Sequence, residues 1–287
     1  MATETTVSTW LVTGASSGIG QSISIAALDA GHKVIGATRD VSKAETANPD
    51  FAAKAAVREE YDIDVLVNNA GYAFIGGVED TSEEEVQDQL NVNFFGPLRA
   101  VRAILPAMRA KRRGHIVLIS SGIVYMSVPG RGAYKASKSA IEAIHDSLRL
   151  EVEELGIKVL IVEPGAFRTP WTTNMKSPVA YESTNGLSEG YKGTAVELWV
   201  DPARVVKIVT LTNLVKGDPN KAAREIVKAV IEGHDYLRMV LGHDCVESVE
   251  RKLGEIRQDL EATKAIAMST DGDIPESVKG TTQNAGS

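Results

Sequence analysis

The chain holds a single cysteine, Cys245, which excludes an intrachain disulfide framework and a thiolate metal cluster. Its expected place is that of a small buried hydrophobe in a helix. The five histidines, His32, His115, His145, His234 and His243, show none of the short spacings used for zinc ligation, so no metal is expected. No apolar run approaches the ~20 residues that cross a bilayer, and the polar stretch Met1 to Ser8 lacks the apolar centre of a signal peptide. Positive charge is also scarce: 31 Lys and Arg stand against 38 Asp and Glu, a net charge of −7. That balance argues against nucleic acid or an anionic membrane as partner. The basic cluster Arg109 to Arg113 reads as a solvated helix end. A soluble, cytoplasmic protein that works on a small molecule without a metal is the expectation.

A length of 287 residues suits one sizeable α/β domain. Apolar runs bounded by turn residues predict strands near Trp10–Thr13, Lys33–Ala37, Asp64–Asn68, His115–Ser120, Lys158–Glu163 and Tyr236–Leu241. Helical periodicity joins them. From Gly132 to Leu155 the stripe Ala136, Ala140, Ile144, Leu148 and Val152 shares one face, and Gly156 stops it. Asp218-Pro219 is an N-cap and first-turn pair for a helix to about Glu232, and a last helix spans about Cys245 to Glu261. Alternation of strand and helix implies a doubly wound parallel sheet covered on both faces. Residues 1–268 are expected to form one dinucleotide-binding and catalytic domain, followed by a disordered polar tail at 269–287.

Chemistry is written most clearly in Ala133-Tyr-Lys-Ala-Ser-Lys-Ser-Ala140. Tyr134 and Lys138 share a helix face, where a cation can draw the phenol's pKa down from about 10 toward neutrality. Upstream, Val7-Ser-Thr-Trp-Leu-Val-Thr-Gly-Ala-Ser-Ser-Gly-Ile-Gly20 is a short strand that turns through Gly14, Gly18 and Gly20 into a helix. Such a turn brings backbone N–H groups and a partial positive charge to a pyrophosphate.

Together with Asn68-Asn-Ala-Gly71, Asn93, Leu105-Pro106, Ser121, Pro164-Gly165 and Thr169, these motifs closely resemble the short-chain dehydrogenase/reductase family over residues 8 to 265. The resemblance implies a Rossmann-like fold and hydride transfer between a nicotinamide and a carbonyl or alcohol carbon, with Tyr134 as the acid or base. It further implies that Lys138 lowers the pKa of Tyr134 and binds the nicotinamide ribose. Ser121 would hold the substrate oxygen, its offset of thirteen residues from Tyr134 favouring it over Ser120. Asn93 would bend a helix and hold a relay water, with Asn91 as competitor. Gly14, Ser16, Ser17, Gly18, Ile19 and Gly20 would cradle the pyrophosphate, and Asn69, Ala70 and Gly71 would lie along the adenosine. The backbone around Phe167 and the Thr169 hydroxyl would hold the carboxamide. Helices near Gly96–Arg112 and Gly132–Leu155 form the interface in many relatives, so a homodimer or homotetramer is expected.

Two stretches depart from the family. Between Thr38 and Asp64 too few residues remain for two crossovers of at least ~10 residues each and a strand, so the third strand reads as lost or vestigial. Asp50 and Asp62 are poor substitutes for the acidic residue that normally ends it. The β-branched run Arg204 to Lys216 stands where the family has a short polar connection, and residues 167–217 are read as the substrate flap and this insertion. The second strand ends Ala37-Thr38-Arg39, where a guanidinium suits the 2′-phosphate of NADP, so NADP(H) is preferred over NAD(H), with Lys43 as helper and Asp40 acting oppositely. Phe167, Trp171, Tyr181, Tyr191 and Trp199 predict an aromatic flap for a hydrophobic substrate. Two other readings stay open: a non-catalytic dinucleotide-binding protein, and an isomerase or cyclase on the same fold.

Overall fold

Among the described residues, short runs of Val, Ile and Leu form six parallel strands, and their uninterrupted apolar character marks a sheet buried on both faces. In the computed structural model, which describes residues 7–39, 62–184, 186–200 and 215–272, they are β1 (Thr9–Thr13), β2 (Lys33–Ala37), β3 (Val65–Asn68), β4 (Gly114–Ile119), β5 (Ile157–Pro164) and β6 (Arg238–Leu241). Their order is β2-β1-β3-β4-β5-β6. The chain winds one way from β1 to β2 and the other way from β3 onward, so a crevice opens above the carboxyl ends of β1 and β3. Register fixes what faces that crevice: Thr13 pairs with Ala37, Val12 with Val67, and Asn68 with Leu118.

Trp10, Val12, Val67, Val117 and Val162 bury one face of the sheet under α1 (Gly18–Asp29) and α6 (Pro219–Glu232), which contribute Ile23, Ala27, Ile226 and Val227. Leu66, Ile116 and Val159 bury the other under α3 (Gly96–Lys111) and α4 (Gly132–Val152), through Val101, Met108, Leu148 and Val152. Smaller helices are α2 (Glu83–Leu90), started by a reciprocal Ser82–Glu85 capping box, and α5 (Ala195–Val200). As the sequence requires, Asp218 caps α6 by accepting from the N–H groups of Asn220 and Lys221. A left-handed Gly156 (φ 73°) ends the turn after α4, where a Cβ would lie 2.3 Å from the Arg112 carbonyl oxygen.

The last helix, α7 (His243–Met268), is longer than its expected span of Cys245 to Glu261. Its added C-terminal stretch, Ala262-Thr-Lys-Ala-Ile-Ala-Met268, about two turns, is rich in helix formers. Cys245 is buried within it. The chain separates into two units, 1–248 and 249–287, so α7 begins in the first and ends in the second.

Two expectations need correction. The inward face of α4 is Tyr134, Ser137, Lys138, Ile141, Glu142, His145, Leu148 and Val152, rotated from the apolar stripe, and Ala136 is exposed. Polar residues face inward because buried partners meet them there, Asn93 for Ser137, the Ile119 carbonyl for Lys138, and Ser120 with Arg238 for Glu142, which a count of apolar positions misses. Nor is the basic cluster at the end of α3 simply solvated. Lys111 Nζ donates to Asp62 (2.7 Å), the Ile63 carbonyl (2.8 Å) and Asp64 (2.8 Å), tying α3 to the start of β3. Asp62 is thereby accounted for as a structural partner. The shortened segment, Asp40, Lys43 and Asp50 with it, and most of the Arg204 to Lys216 run lie outside the described residues, as does the tail beyond residue 272.

Candidate active site

The crevice is a cleft of about 930 Å³, open from Arg39 at one end to Trp171 and Met175 at the other. At its base the β1–α1 turn carries Gly14 (φ 66°) and Gly18 (φ 57°) in left-handed backbone. The glycines also permit close packing, since a Cβ on Gly20 would lie 2.3 Å from Asn69 Nδ2. That amide donates to the carbonyls of Thr13 (2.9 Å) and Gly14 (3.3 Å), and Thr13 Oγ1 accepts from the N–H groups of Asn69 and Ala70, both at 3.0 Å. The β1 and β3 loops are thus locked together. Ser17 caps α1 without a side-chain bond to it, and the first turn carries no acid, which leaves the positive helix end available to an anion.

The wall opposite is built by α4. Tyr134 is buried among Ala73, Ile123 and Trp171, with the Trp171 ring centroid 6.0 Å away. Burial pushes its hydroxyl above its ordinary pKa, against hydrogen bonding from Ser121, the Arg131 guanidinium and the Trp171 N–H. The sequence assigns the downward pull to Lys138. In the structure Lys138 Nζ donates to the Ile119 carbonyl at 2.8 Å, and burial lowers its pKa to about 8 against the attraction of Glu142. Arg131 packs 5.8 Å over the Trp171 ring, and burial brings its pKa to about 10. Sequence reasoning missed Arg131: nothing marks a residue three positions before Tyr134 as cationic support for it.

Ser120 and Ser121 part company at the end of β4. Ser121 lines the cleft and caps a short turn, its Oγ accepting from the Ile123 N–H at 3.3 Å. Ser120 also lines the cleft, but its hydroxyl is committed to Glu142, to which it donates. Asn93 sits in a π-helical turn, Asn91–Phe95, inserted between α2 and α3, and such a turn is a frequent mark of a functional site. Its Nδ2 donates to the Tyr72 carbonyl (2.9 Å) and Ser137 Oγ (3.0 Å), while Oδ1 accepts from the Tyr72 N–H (3.2 Å). Asn91 lines the cleft instead.

Of the residues singled out in sequence, Gly14, Ser16, Ser17, Gly18, Ile19, Arg39, Asn69, Ala70, Gly71, Ser121, Tyr134, Lys138 and Thr169 line the cleft. Gly20 and Asn93 lie just behind its wall. Phe167 does not reach it. A parallel bridge ties Phe167 to Gly217, where an added Cβ would meet its ring at 2.6 Å. Among the flap aromatics only Trp171 lines the cleft, and Tyr191 instead covers Gly77. Tyr72, Val92, Met175 and Lys176 complete the wall without any sequence signal for doing so.

Behind the cleft stands a cluster of buried charge. Glu163 on β5 accepts from Tyr125 Oη (2.8 Å) and pairs with Arg238 Nε (3.1 Å), and Arg238 also forks onto both Asp146 oxygens at 2.8 and 2.9 Å. Arg238 Nη2 lies 3.7 Å from Glu142, whose pKa burial raises to about 7. Burial raises Glu163 as well. The same surroundings push the Cys245 thiol up to about 12, which makes it a poor nucleophile.

Comparison with known proteins agrees with this architecture. The family model described as short chain dehydrogenase matches residues 47–180. A 3-ketodihydrosphingosine reductase from Bacteroides thetaiotaomicron is 34% identical, the match covering 81% of this chain and 87% of the relative. A short-chain dehydrogenase from Streptomyces avermitilis has a solved structure with a TM-score of 0.77 at 32% identity, covering 94% of this chain and all of that one (100%). A metagenomic short-chain oxidoreductase solved with NADP gives a TM-score of 0.51 at 29% identity, over 58% of this chain and 84% of that one. The protein belongs to the short-chain dehydrogenase/reductase family and is an oxidoreductase of that class.

Proposed function

We propose that the protein is an NADP(H)-dependent oxidoreductase that interconverts a carbonyl and a secondary alcohol on a hydrophobic small molecule. The observation that carries this reading is Tyr134, a buried phenol that lines the same cleft as Ser121, with Lys138 one turn along the same helix. NADP(H) supplies the hydride when bound. In reduction Tyr134 donates its proton to the carbonyl oxygen while the Ser121 hydroxyl steadies the charge developing there, and in oxidation the proton moves the other way. Arg131 favours the deprotonated phenol electrostatically, and Lys138, anchored on the Ile119 carbonyl, would hold the nicotinamide ribose.

The residues present fit a dinucleotide. The acid-free N-terminus of α1, with Gly14 and Ser16 to Gly20, would receive the pyrophosphate. Asn69 to Gly71 would flank the adenosine and Thr169 the carboxamide. Asn93 would hold a water in the proton path. Trp171, Met175 and Val92 give the substrate end apolar surface, which supports a hydrophobic substrate, and the name of the Bacteroides relative agrees with ketone chemistry.

Arg39, exposed at the mouth, would take the 2′-phosphate, and NADP in the metagenomic relative supports that preference. Arg39→Ala is expected to weaken NADPH binding by about 10- to 100-fold, the worth of a charge-assisted phosphate contact, and to leave NADH binding unchanged. Fluorescence titration with both cofactors checks this. Equal losses for the two would refute the assignment of Arg39.

A further inference from the structure

The second unit carries a seam that the chemistry above does not use. Within α7, Leu253, Ile256 and Leu260 are 60%, 53% and 56% exposed, large apolar side chains turned to solvent on one continuous helix. With Val249 their spacings are four, three and four residues, the repeat that places every one of them on a single stripe. The same phase runs back to Val246, also exposed, and ends at Thr263. A surface helix with no partner has no physical reason to hold such a repeat in register.

We propose that this seam pairs with the same seam on a second copy of the chain, as an antiparallel two-helix coiled coil centred between Gly254 and Glu255. Charge decides both the partner and the direction. In the antiparallel arrangement Val249 meets Leu260 of the second copy and Leu253 meets Ile256. Lys252 then flanks Asp259 and Glu250 flanks Arg257, each pair formed twice by the twofold axis. All four flanking contacts join opposite charges. A parallel pair would set Lys252 against Arg257 of the other copy twice over, joining like charges at the centre of the seam. At the end of a parallel seam Asp259 would meet Lys264, but only the antiparallel orientation joins opposite charges at every flanking contact. The seam uses no residue of α3 or α4, the helices expected from sequence to make the family's usual contacts.

The test uses the full chain and measures mass by light scattering and sedimentation over a range of concentrations. Leu253→Lys with Leu260→Lys is expected to halve the mass of the assembly while cofactor titration and thermal unfolding of the catalytic unit stay unchanged. Lys252→Glu should weaken association about tenfold, and adding Asp259→Lys should restore it by exchanging the pair. A wild-type chain of single-copy mass would overturn the proposal. So would an unchanged mass in the double lysine variant, or a charge exchange that fails to rescue.

Discussion

Tyr134→Phe is expected to lower kcat by about 10²- to 10⁴-fold, the range contributed by a positioned general acid or base, with NADPH binding retained. The substitution removes one hydroxyl and keeps the ring that packs against Ala73, Ile123 and Trp171, so the site should survive intact. Ser121 and Arg131 would then have no phenol oxygen to support, and the substrate oxygen would have to draw its proton from water. Steady-state turnover with NADPH and a ketone, beside a cofactor titration, separates the two effects. A variant that binds cofactor yet turns over at the wild-type rate would remove Tyr134 from the chemistry and return the isomerase or non-catalytic readings.

The second large effect concerns stability and its dependence on pH. Arg238→Met is expected to cost about 3 kcal/mol near pH 8, because it strands Glu163 and Glu142 as buried carboxylates without their cation. Near pH 5 the loss should shrink to about 1 kcal/mol, the worth of the partly exposed Asp146 pair that still needs the arginine. The sign follows from the raised carboxyls. Glu142 titrates at about 7 in the folded protein against 4.5 for the free group, so the unfolded chain releases its proton first. Its contribution is fully present below 4.5 and disappears as pH rises through about 7. Removing Arg238 raises both carboxyls further and steepens that fall. Urea unfolding at the two pH values measures it, and an equal loss at both would contradict the buried-carboxylate account.

Sheet and glycine-rich turn were legible because their signals are local. Trp10 to Thr13 followed by three glycines is strand, turn and helix start in one run, and the end of β2 could be placed to the residue because Lys33–Ala37 is bounded by a glycine turn and a polar stretch. Asp218-Pro219 carried its own cap chemistry. What remained hidden is what depends on distant partners. Glu142 reads as an ordinary helix-surface acid, and only β5 and β6, which bring Glu163 and Arg238 beside it, explain its burial. That is also why the inward face of α4 defeated a hydrophobic stripe. Lys111 reads as solvated until β3 places Asp64 under it. The backbone around Phe167 was assigned to the cofactor from the resemblance, and its pairing with Gly217, fifty residues on, has no local signal.

Deuterium transfer is the most direct measurement of the central claim. The wild-type protein is incubated with NADPH carrying deuterium at its transferable position and with hydrophobic ketones, and each product alcohol is examined by mass spectrometry and NMR. The account predicts an alcohol labelled on the former carbonyl carbon, formed in step with NADPH oxidation and suppressed in Tyr134→Phe. A product formed without label or without NADPH consumption would contradict it, as would equal labelling by Tyr134→Phe.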